Sequence, residues 1–251
     1  MQPISEAINT VTQGCVQGAG AFLSRICLPA AEEFGFLLRD KVEVWRATNL
    51  EKIVQESERL VGSRIDQGVC AHPRLVHEIL ANGSWSDDDA IQQIWAGLLA
   101  SSCTQNSNDD SNLIFVNILK QLTSVQVRII NYACENAPKF RTKTGLPYAD
   151  EISVGAEALL KIAQIDNFQR LDRELDCLRM LELIGAGGIG GQGGGLEYNR
   201  PIANICPSGV ALHLFVKAKG FLGNPVEFWN LEEKKPIGEE KSFAVKPKGE
   251  S

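Results

Sequence analysis

The sequence has few of the residues that carry catalysis and metal binding. Histidine occurs three times in 251 residues, and His72 and His77 stand five apart with Pro73 between them, so they share no helix face and form no HExxH pair. His213 is remote from both in the chain. There is no GxSxG, no P-loop GKS/T and no CxxC. These absences predict a protein without catalytic residues, without a metal site and without a cofactor, and therefore not an enzyme.

Positive charge and long hydrophobic runs are scarce at the start of the chain. No lysine or arginine precedes Arg25, so the sequence lacks the positively charged region that opens a secretory signal. The uncharged residues 7–24 include Asn9, Gln13 and Gln17, and this polarity argues against a membrane-spanning helix. We therefore expect a cytoplasmic protein, with peripheral attachment to the inner membrane as the alternative.

The chain has no excess of positive charge and no paired cysteine motif. Its 25 Lys and Arg residues against 31 Asp and Glu residues give a net charge of −6. This balance argues against a protein whose whole surface binds nucleic acid, although a local basic patch is compatible with it. The seven cysteines are odd in number and widely spaced. They are expected to be reduced and buried, as in a cytoplasmic protein.

Apolar residues at helical spacing are present along most of the first 184 residues, and hydrophobic residues make up 44% of the chain. Helix signals are clear at Pro73, at the Asn82–Gly83 pair and at Asn167. The segments predicted after residue 72 are a helix over 73–83, a helix capped by Ser86 with Asp87, Asp88 and Asp89 in its first turn, a helix over 113–122, a helix over 125–137 capped by Ser124, a basic loop over 138–147, and helices over 153–164 and 167–184.

The pattern changes after residue 184. Residues 185–195 contain eight glycines, residues 196–205 alternate weakly, and an apolar run covers 207–219. Helices followed by a glycine loop with strand-like flanks are typical of a winged helix. The predicted fold is mainly α, with a helical bundle followed by a winged-helix-like module that contains a small β-hairpin.

Four regions are predicted along the chain. Residues 1–64 form N-terminal amphipathic helices, 65–137 a helical core, 138–220 the winged-helix-like module with its glycine-rich loop, and 221–251 a charged, proline-containing tail. Phe228 and Trp229 are expected to hold the beginning of the tail against the body of the protein.

An apolar stripe marks the N-terminal segment. Ile8, Val11, Phe22 and Ile26 recur at helical spacing, and Gly14 and Gly18 stand four residues apart beside them. Such a stripe either packs on the rest of the protein or meets a membrane or partner helices, because small residues four apart let helices approach closely. These four apolar residues are the candidate membrane or partner face.

Two further motifs resemble ligand-binding sequences, one for a dinucleotide and one for nucleic acid. Residues 185–190 match GxGxxG, but a dinucleotide site needs a helix after the glycines, and more glycines follow here. A hairpin tip or a loop that orders on a partner is the better interpretation. Arg170 and Arg173 are candidate nucleic-acid contacts on a recognition helix, but the interleaved Asp172 and Glu174 oppose phosphate binding. We therefore do not expect a nucleic-acid partner.

Four stretches, taken in order, resemble the Abi-alpha (abortive infection alpha) family of bacterial proteins over roughly residues 29–220. They are VWR at 44–46 with Asn49, IWAGLLAS at 94–101 behind the acidic cap, FVNILKQL at 115–122, and residues 178–185 together with PSGVALH at 207–213. The long glycine loop departs from the shorter hairpin expected of the family.

The resemblance implies a mostly helical protein that defends against phage by halting or killing the infected cell. It implies no catalytic residues, so none are assigned. Combined with the N-terminal stripe, it suggests that activation exposes the N-terminal helices, which then meet a membrane, a protein partner or another copy of the chain. Two alternatives are a winged-helix regulator that binds DNA and a scaffold or interaction subunit.

Overall fold

The computed structural model describes residues 21–27, 44–185, 195–196 and 202–233, and this part of the chain is mostly helical. Residues 21–26 are helical. The remaining elements are α1 (Val44–Val61), a 3-10 helix (Gly62–Gln67), α2 (Pro73–Gly83), α3 (Asp89–Ser102), α4 (Leu113–Leu119), α5 (Ser124–Asn136), β1 (Lys139–Arg141), β2 (Pro147–Ala149), β3 (Ile152–Gly155), α6 (Ala156–Ala163), α7 (Phe168–Met180), β4 (Gly195–Leu196), β5 (Ile202–Ile205), α8 (Gly209–Ala218) and α9 (Pro225–Phe228).

The predicted bounds of α2 are confirmed, and two helix caps differ from the prediction. Asp88, rather than Ser86, caps α3, because its extended backbone lets Oδ1 accept hydrogen bonds from the N–H groups of Ala90 and Ile91 at 3.0 and 3.2 Å. Thr123, rather than Ser124, caps α5. The reason is a capping box in which Thr123 and Gln126 each accept a hydrogen bond from the other's backbone N–H.

The prediction of a basic loop over 138–147 is wrong, because this region forms most of a β-hairpin. Strands β1 and β2 pair antiparallel, with Phe140 opposite Tyr148. The turn between them closes at Gly145, whose φ of 86° favours glycine, and the Gly145 N–H donates to the Thr142 carbonyl oxygen at 2.9 Å. The rings of Phe140 and Tyr148 lie 5.7 Å apart across the pair.

The helix predicted over 153–164 begins later than expected. Strand β3 takes its first residues, because Ile152–Gly155 pairs with β5 in antiparallel register, and α6 starts at Ala156. The Asn167 cap of α7 is confirmed, with Oδ1 accepting from the Arg170 N–H at 2.9 Å. Helix α7 ends at Met180 instead of residue 184, since the chain turns at Glu182, where φ is 57°.

The apolar run over 207–219 is a helix, α8, and not a strand-like flank. Ser208 caps it by accepting a hydrogen bond from the Ala211 N–H at 3.2 Å. Strands β3, β4 and β5 form a separate sheet in which they pair antiparallel in the order β3–β5–β4. Residues 186–194 of the glycine-rich loop lie outside the described residues, as do most of the tail residues, 234–251. The winged-helix assignment remains a prediction.

Helix α3 is at the centre of the core and contacts α1, α2, α5 and α8. Its residues 94–102 are all buried, as expected for a helix that is apolar on every side. At Gly97 the helix approaches α8 so closely that an added Cβ would lie 1.7 Å from the Ala218 carbonyl oxygen. A single apolar cluster runs from Phe22 to Ala218.

The start of the predicted tail is held against the body, as expected. Trp229 stacks on Phe215 with ring centroids 5.6 Å apart and an interplanar angle of 18°, and Phe228 meets the same ring edge-on at 6.4 Å. Among the described helices, none combines the length and hydrophobicity needed to cross a bilayer.

Candidate functional site

The N-terminal candidate face is buried where the structure describes it. Phe22 and Ile26 are each 1% exposed and belong to the core together with Leu23. Ile8 and Val11 lie outside the described residues. Phe22 and Ile26 therefore face the protein interior in this conformation, and they can reach a membrane or a partner only if residues 21–27 leave the body.

Detachment of residues 21–27 from the rest of the protein has an energetic cost that can be estimated. The buried side chains of Phe22, Leu23 and Ile26 contribute roughly 5–9 kcal/mol through removal of apolar surface from water. Polar contacts add to this, including the Ile26 carbonyl oxygen, which accepts from the Ala71 N–H at 3.0 Å, and an exposed Arg25–Asp66 ion pair at 3.2 Å. Because the total is comparable to the stability of a whole domain, detachment requires a trigger that binds the released state.

The VWR stretch with Asn49 joins α1 to the loop before α3. The Arg46 guanidinium donates to the Ser84 hydroxyl oxygen at 2.8 and 3.1 Å and lies 4.1 Å over the Trp85 ring. The Asn49 side-chain amide donates to the Ser84 carbonyl oxygen at 3.1 Å. The Trp45 indole N–H reaches Asp87 at 3.4 Å. This stretch therefore has a structural role in fixing the 84–88 loop.

The acidic run before α3 has partners for all three carboxylates. Asp88 caps the helix and also pairs with Arg128, Asp87 accepts from the Trp45 indole, and Asp89 lies 3.7 Å from Lys52. Three carboxylates that are each engaged in a cap or a pair do not converge on a cation. The interpretation of this run as a capping cluster is consistent with this geometry.

The two candidate nucleic-acid contacts lie on α7 beside a buried carboxylate. Arg170 Nε and Arg173 Nη2 are 3.6 and 3.5 Å from Glu174 Oε1. Glu174 is 4% exposed, and its other oxygen accepts from the Gln126 amide at 2.8 Å and from the Thr123 hydroxyl at 3.3 Å. Glu174 thus fixes α7 to the capping box of α5 and offsets part of the charge of both arginines.

The sequence indicated Glu174 only as one of several acids on α7. Its spacing of four residues from Arg170 is a weak signal for an ion pair, but nothing in the sequence marks it as buried.

A cleft of about 250 Å³ lies between α1, α3, α5 and the end of α8, lined among others by Arg59, Gln93, Asn131 and Lys219. Arg59 forms two hydrogen bonds to Glu56, at 2.6 and 2.7 Å, and these hold the pKa of Glu56 below its ordinary value. The Lys219 ammonium lies 3.6 Å from Glu135. The cations at this cleft are therefore already paired with carboxylates.

Burial or helix capping accounts for the surroundings of Cys103, Cys134, His72 and His213. Burial raises the pKa of both the Cys103 and the Cys134 thiol to about 12, so both remain protonated at neutral pH. His72 accepts a hydrogen bond from the Arg74 N–H at the start of α2, and burial lowers the pKa of His213. Across residues 21–27, 44–185, 195–196 and 202–233, no three His, Cys, Asp or Glu side chains are arranged to hold a metal.

These observations describe a mainly helical protein with small antiparallel sheets. The family model named "Abortive infection alpha" matches residues 45–200, which is more than half of the chain, and the chain therefore belongs to this family. Family membership indicates a role in phage defence of the abortive-infection type. No curated protein and no solved structure matches the chain.

The matched range runs from Trp45 to the residues just before β5. It includes two of the four stretches that carried the resemblance in full, the VWR stretch except for Val44, and residues 178–185 of the fourth. The PSGVALH stretch at 207–213 and the N-terminal apolar stripe lie outside it.

Proposed function

We propose that this chain is a non-enzymatic effector of abortive-infection defence whose N-terminal segment is the acting part. In the resting state, Phe22 and Ile26 are buried against the body. Infection releases the segment, and Ile8, Val11, Phe22 and Ile26 then meet the inner membrane, a protein partner or further copies of the chain. The observation that supports this proposal is the burial of an apolar helical face outside the part matched by the family model.

The experiment begins with bacteria that express the intact protein and are infected with a phage panel. Survival at low multiplicity with collapse of the culture at high multiplicity is the expected result, because abortive infection sacrifices infected cells. Unchanged plaquing and growth across the panel would count against a defence role.

The acting residues are then tested with substitutions that retain the described core residues Phe22, Leu23 and Ile26. Deleting residues 1–28 would remove Phe22, Leu23 and Ile26 from the core, whereas Ile8→Asp with Val11→Asp changes only the part of the stripe outside the described residues. The matched control is Asn9→Asp with Thr12→Asp, which adds the same charge at polar positions. We expect the first pair to abolish killing and the second to retain it. Killing that survives Ile8→Asp with Val11→Asp would contradict the mechanism.

One alternative is a DNA-binding regulator. It is supported by the order of elements from α5 to β5, which is a helix, the β1–β2 hairpin, a strand, two helices and two strands. Strand β5 lies between β3 and β4, and apart from the inserted hairpin this order fits a winged helix. Arg170 and Arg173 would then contact the phosphates. A salt-dependent shift of DNA that weakens in Arg170→Ala and Arg173→Ala would favour this reading, and an unshifted band at low salt would remove it.

The other alternative is a scaffold or interaction subunit, in which the helical body presents the glycine-rich loop to a partner. Recovery of a second protein in stoichiometric amounts on purification from its native host would favour it. Under the main proposal the chain is cytoplasmic, peripheral at the inner membrane when released, and has neither a metal nor a cofactor.

A further inference from the structure

The β1–β2 hairpin presents apolar side chains to solvent at its tip. Leu146 is 62% exposed and Tyr148 is 56% exposed, and the Tyr148 ring stands beside Phe140 on the same face of the hairpin. The opposite face, with Pro147 and Ala149 buried, packs towards α8. The exposed side chains therefore point away from the body as a small apolar projection.

Part of the tip's backbone is hydrogen-bonded within the turn. The Thr142 N–H donates to the Leu146 carbonyl oxygen, and the Gly145 N–H donates to the Thr142 carbonyl oxygen, both at 2.9 Å. The Leu146 N–H donates to the Thr142 hydroxyl oxygen at 3.0 Å. Because these polar groups have partners, the tip loses fewer hydrogen bonds than an open loop when it moves from water into a less polar environment.

The hairpin is positively charged in an acidic protein. Residues 138–149 contain Lys139, Arg141 and Lys143 and no acidic residue, whereas the whole chain has a net charge of −6. Lys139 is held at the base, where its ammonium donates to the Ala137 carbonyl oxygen at 2.7 Å. Lys143 is exposed at the tip and forms no ion pair within the part of the chain that the structure describes.

Acidic residues flank the hairpin at the base and beside the turn end of β1. Asp150 and Glu151 follow β2, and the Glu232 carbonyl oxygen accepts from the Arg141 N–H at 2.9 Å, with Glu233 beside it. Arg141 is the last residue of β1 before the turn, so Glu232 and Glu233 lie near the tip. The turn itself, residues 142–146, has Lys143 as its one charged residue.

We propose that the tip of the β1–β2 hairpin docks onto the surface of an anionic phospholipid bilayer. Leu146 enters the boundary between headgroups and acyl chains, Tyr148 lies at the headgroup level, and Lys143 contacts the lipid phosphates. An exposed leucine favours a bilayer over nucleic acid, because an aliphatic side chain does not stack on bases. The inference concerns residues other than those that carry the proposed function, so it holds or fails independently of it.

The test is co-sedimentation of the full chain with vesicles of phosphatidylglycerol and phosphatidylethanolamine, with phosphatidylcholine vesicles for comparison. We expect binding to the anionic vesicles that weakens at high salt. Lys143→Gln should reduce the partition coefficient about fivefold, since one basic residue near an anionic surface is worth about that factor. Leu146→Ser should reduce it about tenfold, in line with the loss of one buried aliphatic side chain.

Matched controls lie elsewhere on the surface. Ile114→Ser replaces an aliphatic side chain of similar exposure on α4, and Lys161→Gln removes one exposed positive charge on α6. Both should bind like the unmodified chain, and thermal unfolding should be the same for all four variants because all four positions are exposed.

Three results would overturn the inference: an unmodified chain that does not sediment with anionic vesicles, hairpin variants that bind as tightly as the controls, or hairpin variants that lose binding to a single-stranded oligonucleotide but retain binding to vesicles. The phage-panel experiment has a separate readout, so its failure would leave a positive vesicle result standing.

Discussion

The crossing of α3 and α8 at Gly97 gives the sharpest test of the fold. A methyl group at this position would lie 1.7 Å from the Ala218 carbonyl oxygen and 2.2 Å from its carbonyl carbon. Both atoms are backbone, so no side-chain rotation relieves the clash, and α8 must move away from α3. Such overpacking typically costs 1–3 kcal/mol, and the rigid neighbour places the clash in Gly97→Ala at about 3–4 kcal/mol, before the gain in helix propensity is subtracted.

The sign of the effect makes the test decisive. Within a helix that met no obstacle, alanine would be favoured over glycine by about 1 kcal/mol. Unfolding in urea, followed by circular dichroism, should instead show a loss of about 2–3 kcal/mol, with a melting temperature lowered by about 5–10 °C. The matched control is Gly155→Ala. An added Cβ at this position would have no atom within 4 Å apart from its chain neighbours, and φ is −57°, so stability should change by less than about 0.5 kcal/mol. A Gly97→Ala variant as stable as the original chain would refute the close approach.

Three further predictions concern buried groups. Glu174→Ala should cost about 2–3 kcal/mol in urea unfolding because it leaves the buried Gln126 amide without its acceptor, while Glu174→Gln, which retains an acceptor oxygen, should cost less; equal losses would contradict this. Cys103 and Cys134, with pKa raised to about 12, should resist iodoacetamide at pH 8 until the protein unfolds, as read by mass spectrometry. Because burial lowers the pKa of His213, the folded protein binds this proton less tightly than the unfolded chain, so stability should be complete above about pH 6.5 and should fall at lower pH; a His213→Gln variant should show a shallower fall.

Local signals predicted the parts of the fold that local chemistry decides. Pro73 and the Asn82–Gly83 pair bound α2 as expected, and Asn167 caps α7, because a cap depends on residues only a few positions away. Where several cap-forming residues are adjacent, as at Asp88, the sequence alone could not choose between them. That choice depends on where the chain becomes extended.

Long-range pairing explains the larger errors. Residues 138–147 carry no apolar alternation, so the hairpin could not be read from them, and its register follows from the Phe140–Tyr148 pair and from packing on α8. The residues of strand β3 are predicted as part of a helix, because the strand's partner, β5, is about fifty residues away and local sequence does not show the pairing. Phe22 and Ile26, the described part of the N-terminal stripe, are both buried. The sequence could not tell whether the core or a partner covers this stripe.

The hydrogen bond between Ile26 and Ala71 sets an order of events during synthesis. Residues 21–27 leave the ribosome before residue 71, but the site that receives them includes Ala71, and the adjacent Cys70 is itself paired with Thr104. At 5–20 residues per second, roughly 4–15 s pass between the emergence of the segment and that of residue 104. Every newly made copy therefore passes through an interval in which Phe22, Leu23 and Ile26 lack the part of their packing site that residues 70–104 complete, and chaperones or a nearby bilayer can compete for them before the fold closes.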